Sequence, residues 1–530
     1  MICQQHLSVI ADRVIALFLS DNDDTPEQIN LFLSYASSFG QFTQLRSLSL
    51  LSICSYGTLM KILNDCQYLS NLSRLNIYCN YLRYNPVDLQ LIINSIWSLP
   101  KLIQCDYRIR TDRENFFIIT RKISLSLESV HINTNKIRLD NINELFNYTP
   151  RLKRLFLSLD SIDHPYISYY TPLTHSTLTD LKLHVHNVSD AIIKGFFKNI
   201  MPNLYRLDIK LSSNLIKGHQ WEQIICNYLP KLEIFRLRMI TPSFIQNIEK
   251  HADELINSFR TPFWINEHEW FVRCFVREDT LYLYTLSETF YYNDYEFPHS
   301  FKSTYSHDDH QKFYNNIINI YDDTFFHQSI SSDIHLPNIN SLWIKFPINH
   351  KFWSIVSSLN RLKSLTVSSY DDIYNSQFQV LLDRAPNLRH LDIRQDKSLP
   401  LQMSSFQYIN VSVHQLDLRN CNHYFTADEC ITLSRSPLAV QCEVLSILVD
   451  SRESIIYLVK NMINLRSLSL NAKFEEKKSS GFFTWLWKRD PSPDENIENK
   501  DIVQWLKDCL PSTCLIKRKS DSANCILIWI

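Results

Sequence analysis

Basic side chains recur at matching positions of a repeated sequence phrase in the first half of this 530-residue chain. The set comprises five basic residues and two interleaved aspartates: Arg154, Lys182, Lys210, Arg236, Arg238, Asp180 and Asp208. Arginine can hold carboxylate or phosphate oxygens through two parallel hydrogen bonds. If the phrases form adjacent strands, they predict a basic track that receives an acidic or phosphorylated segment of a protein partner. The alternative is a solvated surface whose charges pair between neighbouring strands.

A second set of candidate partner-binding residues occupies the same offsets in the second half of the chain. It consists of Trp343, Lys345, His390, Asp392, Arg394, Asp417 and Arg419. An exposed tryptophan on a strand can anchor a partner, which makes Trp343 prominent in this set. The alternative is that the irregular segment before it covers the indole ring.

Three further features can be interpreted in chemical terms. The run "SHDDH" at 306–310 offers metal-ligating side chains, but adjacent residues in one loop seldom converge on an ion, so we expect no metal site. The run "FFTWLW" at 482–487 is either an exposed interaction loop or a segment packed on the last repeats. Cys421 falls where a repeat places a buried hydrogen-bonding residue, so we expect it to be structural.

The composition excludes several classes of enzyme. The chain has only five glycines, all far apart, so it contains no glycine-rich phosphate loop and no G-x-S-x-G nucleophile elbow. No convincing catalytic triad stands out either. We therefore expect a protein without catalytic chemistry and without a cofactor.

Charge and cysteine content limit the partners and the compartment. The formal net charge is −1, so no overall field draws the chain to nucleic acid or to an anionic membrane. No apolar stretch approaches the roughly 20 residues that span a bilayer. Thirteen scattered cysteines without a C-x-x-C pair are typical of reduced thiols, which predicts a cytoplasmic or nuclear protein.

The repeated phrase has apolar residues at positions i, i+3 and i+5 and returns about every 26 residues. Between phrases, segments such as "SDAIIKGFFKNIMP" have the apolar spacing of a helix and then meet a proline. The proline ends the helix and favours extended backbone before it. The following alternation of apolar and polar residues predicts a short strand with one buried side.

One short strand and one helix in about 26 residues define a leucine-rich repeat. The predicted fold is therefore an α/β leucine-rich-repeat solenoid, a curved horseshoe with parallel strands on the concave side and helices on the convex side. An all-helical solenoid of the HEAT or armadillo type has longer repeats and no alternating strand positions.

Two interruptions divide the chain into predicted segments. We expect leucine-rich repeats over 1–249 with an uncapped N-terminus, an irregular insertion with a β-hairpin over 250–335, and further repeats over 336–472. An exposed loop over 473–500 and a C-terminal cap over 501–530 complete the chain. The hairpin is predicted from "EWFVRCFVREDTLYLYTLSE", with its turn at 277–279.

The phrases, the segment "SFRTPFWINEHEWFVRC" at 258–274 and the ending "WLKDCLPSTCLIKR…ILIWI" resemble F-box proteins with leucine-rich repeats, in particular a divergent invertebrate group. This resemblance implies a substrate receptor of an SCF-type ubiquitin ligase, whose N-terminal F-box binds Skp1 in a cullin complex while the repeats select the target.

The chain departs from that family at its start, because the first repeat phrase begins at Val14 and leaves no room for an F-box. Skp1 and cullin are therefore expected partners only if an F-box lies upstream in a longer product. The alternatives are a repeat protein that has no connection with ubiquitin and, more remotely, an enzyme whose site lies in residues 250–335.

Overall fold

The computed structural model describes the larger part of the chain. The described residues are 9–21, 28–36, 38–53, 55–79, 86–109, 122–163, 177–188, 190–197, 201–212, 215–242, 247–277, 279–286, 301–306, 311, 314–315, 317–321, 326, 334–368, 372–395, 406–472, 502–518 and 525–530.

Each repeat forms one strand because apolar and polar residues alternate along it. In the strand Arg206–Ser212, the side chains of Leu207, Ile209 and Leu211 are fully buried, while the residues between them are half-buried. Successive residues of a strand point to opposite faces of the sheet. One face therefore joins the apolar core, and the other, here called the open face, carries the polar residues.

In several repeats a proline follows the helix and precedes the next strand, as at Pro230. The helix Gly218–Tyr228 ends just before Leu229, whose N–H donates to the carbonyl of Ile225. Pro230 has no N–H with which to continue the helix. The chain then turns, and the next strand begins at Ile234.

Contacts divide the chain into two compact units. The first comprises Met1–Thr289 and Ser300–Asp308, and the second comprises Phe290–His299 and Asp309–Ile530. The predicted insertion at 250–335 thus contributes residues to both units.

The first unit contains a sheet of 12 strands among its described residues. They are β1 (Ala16–Ser20), β2 (Ser47–Leu51), β3 (Arg74–Cys79), β4 (Gln104–Ile109), β5 (Ser129–Arg138), β6 (Arg154–Asp163), β7 (Asp180–Asn187), β8 (Arg206–Ser212), β9 (Ile234–Pro242), β10 (Val272–Arg277), β11 (Thr280–Thr285) and β12 (Lys302–Ser303). Strands β1 to β9 are parallel and follow chain order. The hairpin β10–β11 then joins through β11, which is antiparallel to β9.

The helices of the first unit alternate with the strands. They are α1 (Gln28–Tyr35), α2 (Tyr56–Cys66), α3 (Pro86–Trp97), α4 (Leu139–Tyr148), α5 (Asp190–Phe197), α6 (Gly218–Tyr228) and α7 (Ile248–Asn257). A short π-helical segment, Phe263–Glu267, follows α7. Its buried Trp264 packs on Phe235 of β9, with ring centroids 5.6 Å apart, and so joins the segment to the core of the repeats.

The second unit repeats this design with a sheet of nine strands in its described part. They are β13 (Asn319–Ile320), β14 (Ser341–Lys345), β15 (Ser364–Ser368), β16 (His390–Arg394), β17 (Gln415–Asp417), β18 (Val444–Val449), β19 (Ser467–Ala472), β20 (Leu515–Arg518) and β21 (Cys525–Trp529). Strands β13 to β19 are parallel, β21 pairs antiparallel with β19, and β20 pairs antiparallel with β21.

The helices of the second unit lie between these strands in the chain. They are α8 (Phe352–Ile355), α9 (Asn375–Asp383), α10 (Ala427–Ser434), α11 (Pro437–Val440), α12 (Arg452–Asn461) and α13 (Ile502–Cys509). The last strand pair, β20 and β21, thus lies beside β19 at the end of the parallel run, where it covers that strand's edge.

The repeated strands and helices, with long runs of parallel pairing, are compatible with a leucine-rich-repeat solenoid. The curvature of a horseshoe stays a prediction. No helix within the described ranges is long and apolar enough to cross a membrane. The cysteines in these ranges are free thiols, most of them buried.

Candidate functional site

The strand register aligns the polar residues of β4 to β9 in rows across the open face of the first sheet. The middle row runs through Asp106, His131, Phe156, Lys182, Asp208 and Arg236. A row on one side contains Arg154, Asp180 and Arg206, and a row on the other contains His184, Lys210 and Arg238. All five basic residues predicted in the first half therefore lie on this face.

An open groove of about 370 Å³ lies along the middle row, with Phe156 and Lys182 in its lining. One end of the groove is electrically balanced. His131 Nδ1 lies 2.9 Å from Asp106 Oδ1, and Arg108 donates to both carboxylate oxygens of Asp106. Burial raises the pKa of Asp106, but the hydrogen bonds from His131 and Arg108 outweigh it, and the pKa is lowered.

A ring cluster separates this balanced end from the basic end. The His131 imidazole stacks on the Phe156 ring, with centroids 3.9 Å apart and planes inclined by 12°. From the other neighbouring strand, Lys182 Nζ lies 4.7 Å from the centre of the same ring. The Phe156 ring thus holds the Lys182 ammonium by a cation–π contact at the start of the basic region.

The basic end carries more positive than negative charge. The three rows of β6 to β9 carry six basic side chains and two carboxylates, those of Asp180 and Asp208. The six form what we call the basic face: Arg154, Lys182, Arg206, Lys210, Arg236 and Arg238.

Two arginines of the basic face have a side-chain donor without a hydrogen-bond acceptor within the described part of the chain. The Nε atoms of Arg206 and Arg236 are buried and have no hydrogen-bond partner there. Lys182 Nζ lies 3.9 Å from Asp208 Oδ2, which is an ion pair beyond hydrogen-bond distance. Burial raises the pKa of Asp208 despite the nearby charges of Lys182, Arg236 and Arg206.

The pKa of His184 reflects its burial and the positive charges around it. Its burial lowers the pKa to about 3, and the charges of Lys182, Lys210 and Arg238 act in the same direction. The imidazole is therefore neutral at physiological pH and adds no charge to the basic face. Because the His184 ring is neutral, it leaves the positive charge of the basic face unchanged.

Aromatic residues border the basic face at its β11 side. Arg238 is only 6% exposed and lies opposite Tyr284 in the strand register. Tyr282 stacks on Phe275 of β10, with centroids 4.7 Å apart. The guanidinium of Arg273 lies 3.9 Å from the centre of the Phe301 ring. Apart from the half-buried Phe301, these side chains are buried, and their contacts continue the packing of the sheet beyond the parallel strands.

The residues predicted in the second half also lie on an open face, but their charges pair with one another. Arg394 Nε donates to Asp392 Oδ2 at 2.8 Å, and Asp392 is only 5% exposed. The Arg394 guanidinium also lies 4.8 Å from the centre of the Trp343 ring. The half-buried Trp343 donates through its indole N–H to Ser368 Oγ at 3.2 Å.

Asp417 and Arg419 form a second internal pair. Two nitrogens of Arg419 donate to the two carboxylate oxygens of Asp417, at 3.1 and 2.6 Å. These hydrogen bonds raise the pKa of Arg419. His390 Nδ1 lies 3.4 Å from Ser364 Oγ, and Lys345 is exposed at the end of β14. The local pairing expected for an ordinary polar surface is therefore found for four of these seven residues, or two pairs.

The remaining predicted features are structural or lie elsewhere. The Cys421 thiol is buried and donates to the carbonyl of Ile393 at 3.0 Å, and burial raises its pKa. Residues 307–310 and 482–487 lie outside the described residues. Among the residues that are described, no group of three or more His, Cys, Asp or Glu side chains is arranged to hold a metal ion.

Sequence reasoning did not single out Arg206, Asp106 or His131. Arg206 is the first residue of β8, two positions before Asp208, so it belongs to the open face by alternation. The signal was present in "NLYRLDIK", because Arg206 has the same offset in its phrase as Arg154 and Asp180 have in theirs. Asp106 and His131 become part of the site only through the cross-strand register.

Comparisons with known proteins do not assign a function to this chain. No protein-family model and no curated protein match the sequence. Among solved structures, the chain is similar to an LRR protein of Leptospira interrogans, with 12% identity over 87% of this chain and 90% of that chain and a TM-score of 0.19. The F-box resemblance stays a prediction, and the function is therefore inferred from the chain's own residues.

Proposed function

We propose that this chain is a non-catalytic scaffold that binds a protein partner through the basic face of its first unit. The observation that carries the proposal is the surplus of positive charge across β6 to β9, where six basic side chains meet two carboxylates. Complementary charge steers association and selects partners. The partner segment is therefore acidic.

The sheet provides a rigid support for such a surface. Parallel pairing runs from β6 through β9 without a break, and the leucines of these strands are fully or almost fully buried beneath the basic residues. A site built on strands with packed neighbours keeps its side chains better positioned than a site on loops. An acidic segment lying across the strands meets a basic side chain on each of them.

The more specific proposal is that the scaffold is the substrate-recognition part of an F-box-type ubiquitin-ligase receptor. It is supported by the resemblance of residues 258–274 and of the C-terminal segment to that family. A repeat protein that binds partners outside the ubiquitin system is the alternative. Sequencing of the full transcript, together with co-purification of Skp1 with its complete product, separates the two. A product that has no F-box and does not bind Skp1 excludes the receptor role. It does not bear on the proposal that the basic face binds an acidic partner.

The binding surface is tested by reversing two half-buried cations. In the double variant Lys210→Glu and Arg236→Glu, we expect loss of the proteins that the wild-type chain captures from an extract of its source cells. The matched control reverses Arg46 and Arg74, two exposed arginines of the same unit that lie outside the basic face. Equal capture by the wild type and the Lys210/Arg236 variant, measured by quantitative mass spectrometry, contradicts the proposal.

A further inference from the structure

We infer that the basic face holds a phosphoryl group on a side chain of the partner segment, at a subsite formed by Lys182, Arg206 and Arg236. This inference rests on the proposed function and assigns a chemical class to its ligand. It also adds Arg206 to the residues that select the partner.

The inference begins with the two buried guanidinium atoms. Arg206 Nε and Arg236 Nε are removed from solvent and have no hydrogen-bond acceptor among the described residues. A buried charged donor without an acceptor is costly in free energy. Both atoms belong to neighbouring strands, β8 and β9, and both residues line the same groove. An oxygen-rich ligand in that groove meets both arginine side chains, because both line it.

A carboxylate is already present among these cations and does not satisfy them. In the strand register, Asp208 lies directly opposite Lys182 on one side and Arg236 on the other. Its distance to Lys182 Nζ is 3.9 Å, and the two arginine Nε atoms stay without acceptors. One more carboxylate adds a single negative charge, which is less than a doubly ionised group supplies.

A phosphoryl group matches the subsite better in charge and in geometry. It carries a charge of about −1.5 to −2 at neutral pH and three acceptor oxygens. Three oxygens can accept from Lys182, Arg206 and Arg236 at once, and charge-assisted bonds of this kind are the strong ones. The groove volume of about 370 Å³ is that of a site for one side chain and its nearby backbone.

The test compares three short Ala/Gly peptides that differ only in a central phosphoserine, glutamate or serine. Each is titrated with the full chain, and binding is followed by fluorescence anisotropy. We expect the phosphoserine peptide to bind at least about tenfold more tightly than the glutamate peptide. Inorganic phosphate is expected to compete with it, whereas chloride at equal ionic strength is not.

Two neutral substitutions locate the subsite. Arg206→Gln and Arg236→Gln should each weaken phosphoserine binding by roughly tenfold while changing glutamate binding much less. Arg74→Gln is the matched control, because it removes one positive charge from the open face at β3, outside the basic face. It should leave both affinities unchanged. If Arg206→Gln does not fold, as judged by circular dichroism, Arg206→Lys keeps the charge but not the Nε donor and should still lower the preference for phosphoserine.

The outcomes separate the inference from the function on which it rests. Equal affinity for the phosphoserine and glutamate peptides, with Lys210→Glu/Arg236→Glu still abolishing both, overturns the phosphoryl subsite and retains an acidic partner. A phosphoserine preference that survives Arg206→Gln and Arg236→Gln overturns the assigned residues. Absence of binding for both anionic peptides, together with unchanged partner capture by the reversal variant, overturns both proposals.

Discussion

At the scale of single residues, charge on the first open face is controlled by burial as much as by residue type. Burial and the surrounding cations both lower the pKa of His184, whereas burial raises the pKa of Asp208 against the opposing effect of the same cations, and each net shift favours the uncharged form. A carboxylate that is harder to ionise offsets less of the positive charge, so the field of the arginines and lysines is preserved for a ligand.

The low pKa of His184, about 3, makes a testable contribution to acid sensitivity. In the unfolded chain a histidine takes up a proton near pH 6.5, so the unfolded state binds more protons below that pH. The stability contributed by neutral His184 is present above about pH 6.5 and is lost as the pH falls toward 3. We therefore expect the His184→Asn variant to lose less unfolding free energy than the wild type between pH 6.5 and 4.

Urea unfolding at several pH values measures this difference. The matched control is His186→Asn, because His186 is exposed on the same strand and its replacement removes the same type of side chain. Parallel pH profiles for the wild type and His184→Asn would show that the buried imidazole is not the acid-sensitive group.

At the scale of elements, helix α6 depends on the absence of a side chain at its first residue. A Cβ atom on Gly218 would lie 2.2 Å from the carbonyl oxygen of Ser258 and 2.9 Å from Phe259 Cα. The Gly218 N–H donates to Ser258 Oγ at 2.7 Å, so the end of α7 packs directly on the start of α6. These neighbours are backbone atoms, which cannot move aside independently.

We expect Gly218→Ala to lower the unfolding free energy by about 1–3 kcal/mol, because the backbone must shift to admit the methyl group. Gly195→Ala is the matched control: Gly195 lies within helix α5, and a Cβ there has no atom within 4 Å. That substitution should be neutral or stabilising by up to about 1 kcal/mol. Chemical denaturation of both variants decides the point, and equal losses would contradict the packing argument.

The elements also show how far sequence reasoning reaches. The alternation around Leu207 and Ile209, and the proline that precedes several of the strands, predict the strands and their buried side, since both effects are local. Whether a charged side chain finds a partner depends on the neighbouring strands as well as on the nearby sequence. Asp417 is the last residue of β17 and meets Arg419 two residues later in the chain, at the start of a short 3-10 helix, whereas Arg206 and Arg236 acquire their surroundings from the register of adjacent strands. The excess of positive charge on the first open face and the ion pairs on the second could be recognised only from the structure.

At the scale of the whole molecule, a chain with a net charge of −1 concentrates positive charge on one face of one unit. Positive potential on the basic face is therefore a local property, and it acts over about a Debye length, near 8 Å at physiological salt. The two units differ in this respect, because the open face of the second unit neutralises its own arginines with Asp392 and Asp417.

This difference predicts unequal effects of charge removal. Neutralising Arg394 and Arg419 together, by substitution with Gln, should change the affinity for an acidic peptide by less than about twofold, because each guanidinium group pairs with a carboxylate two residues before it in the chain. Neutralising Lys210 and Arg236 should weaken the same complex by about tenfold or more. Anisotropy titrations of the two double variants under identical buffer conditions make the comparison. Similar losses of affinity in both variants would contradict the assignment of the binding surface to the first unit.

The most direct test of the central claim is the affinity of the full chain for a glutamate-rich peptide, measured by anisotropy for the wild type and two charge-reversal variants at several salt concentrations. The account predicts that Lys210→Glu/Arg236→Glu abolishes binding, that Arg46→Glu/Arg74→Glu preserves it, and that added salt weakens the wild-type complex. Binding that is unaffected by reversal of Lys210 and Arg236 would contradict the assignment of the basic face as the partner surface.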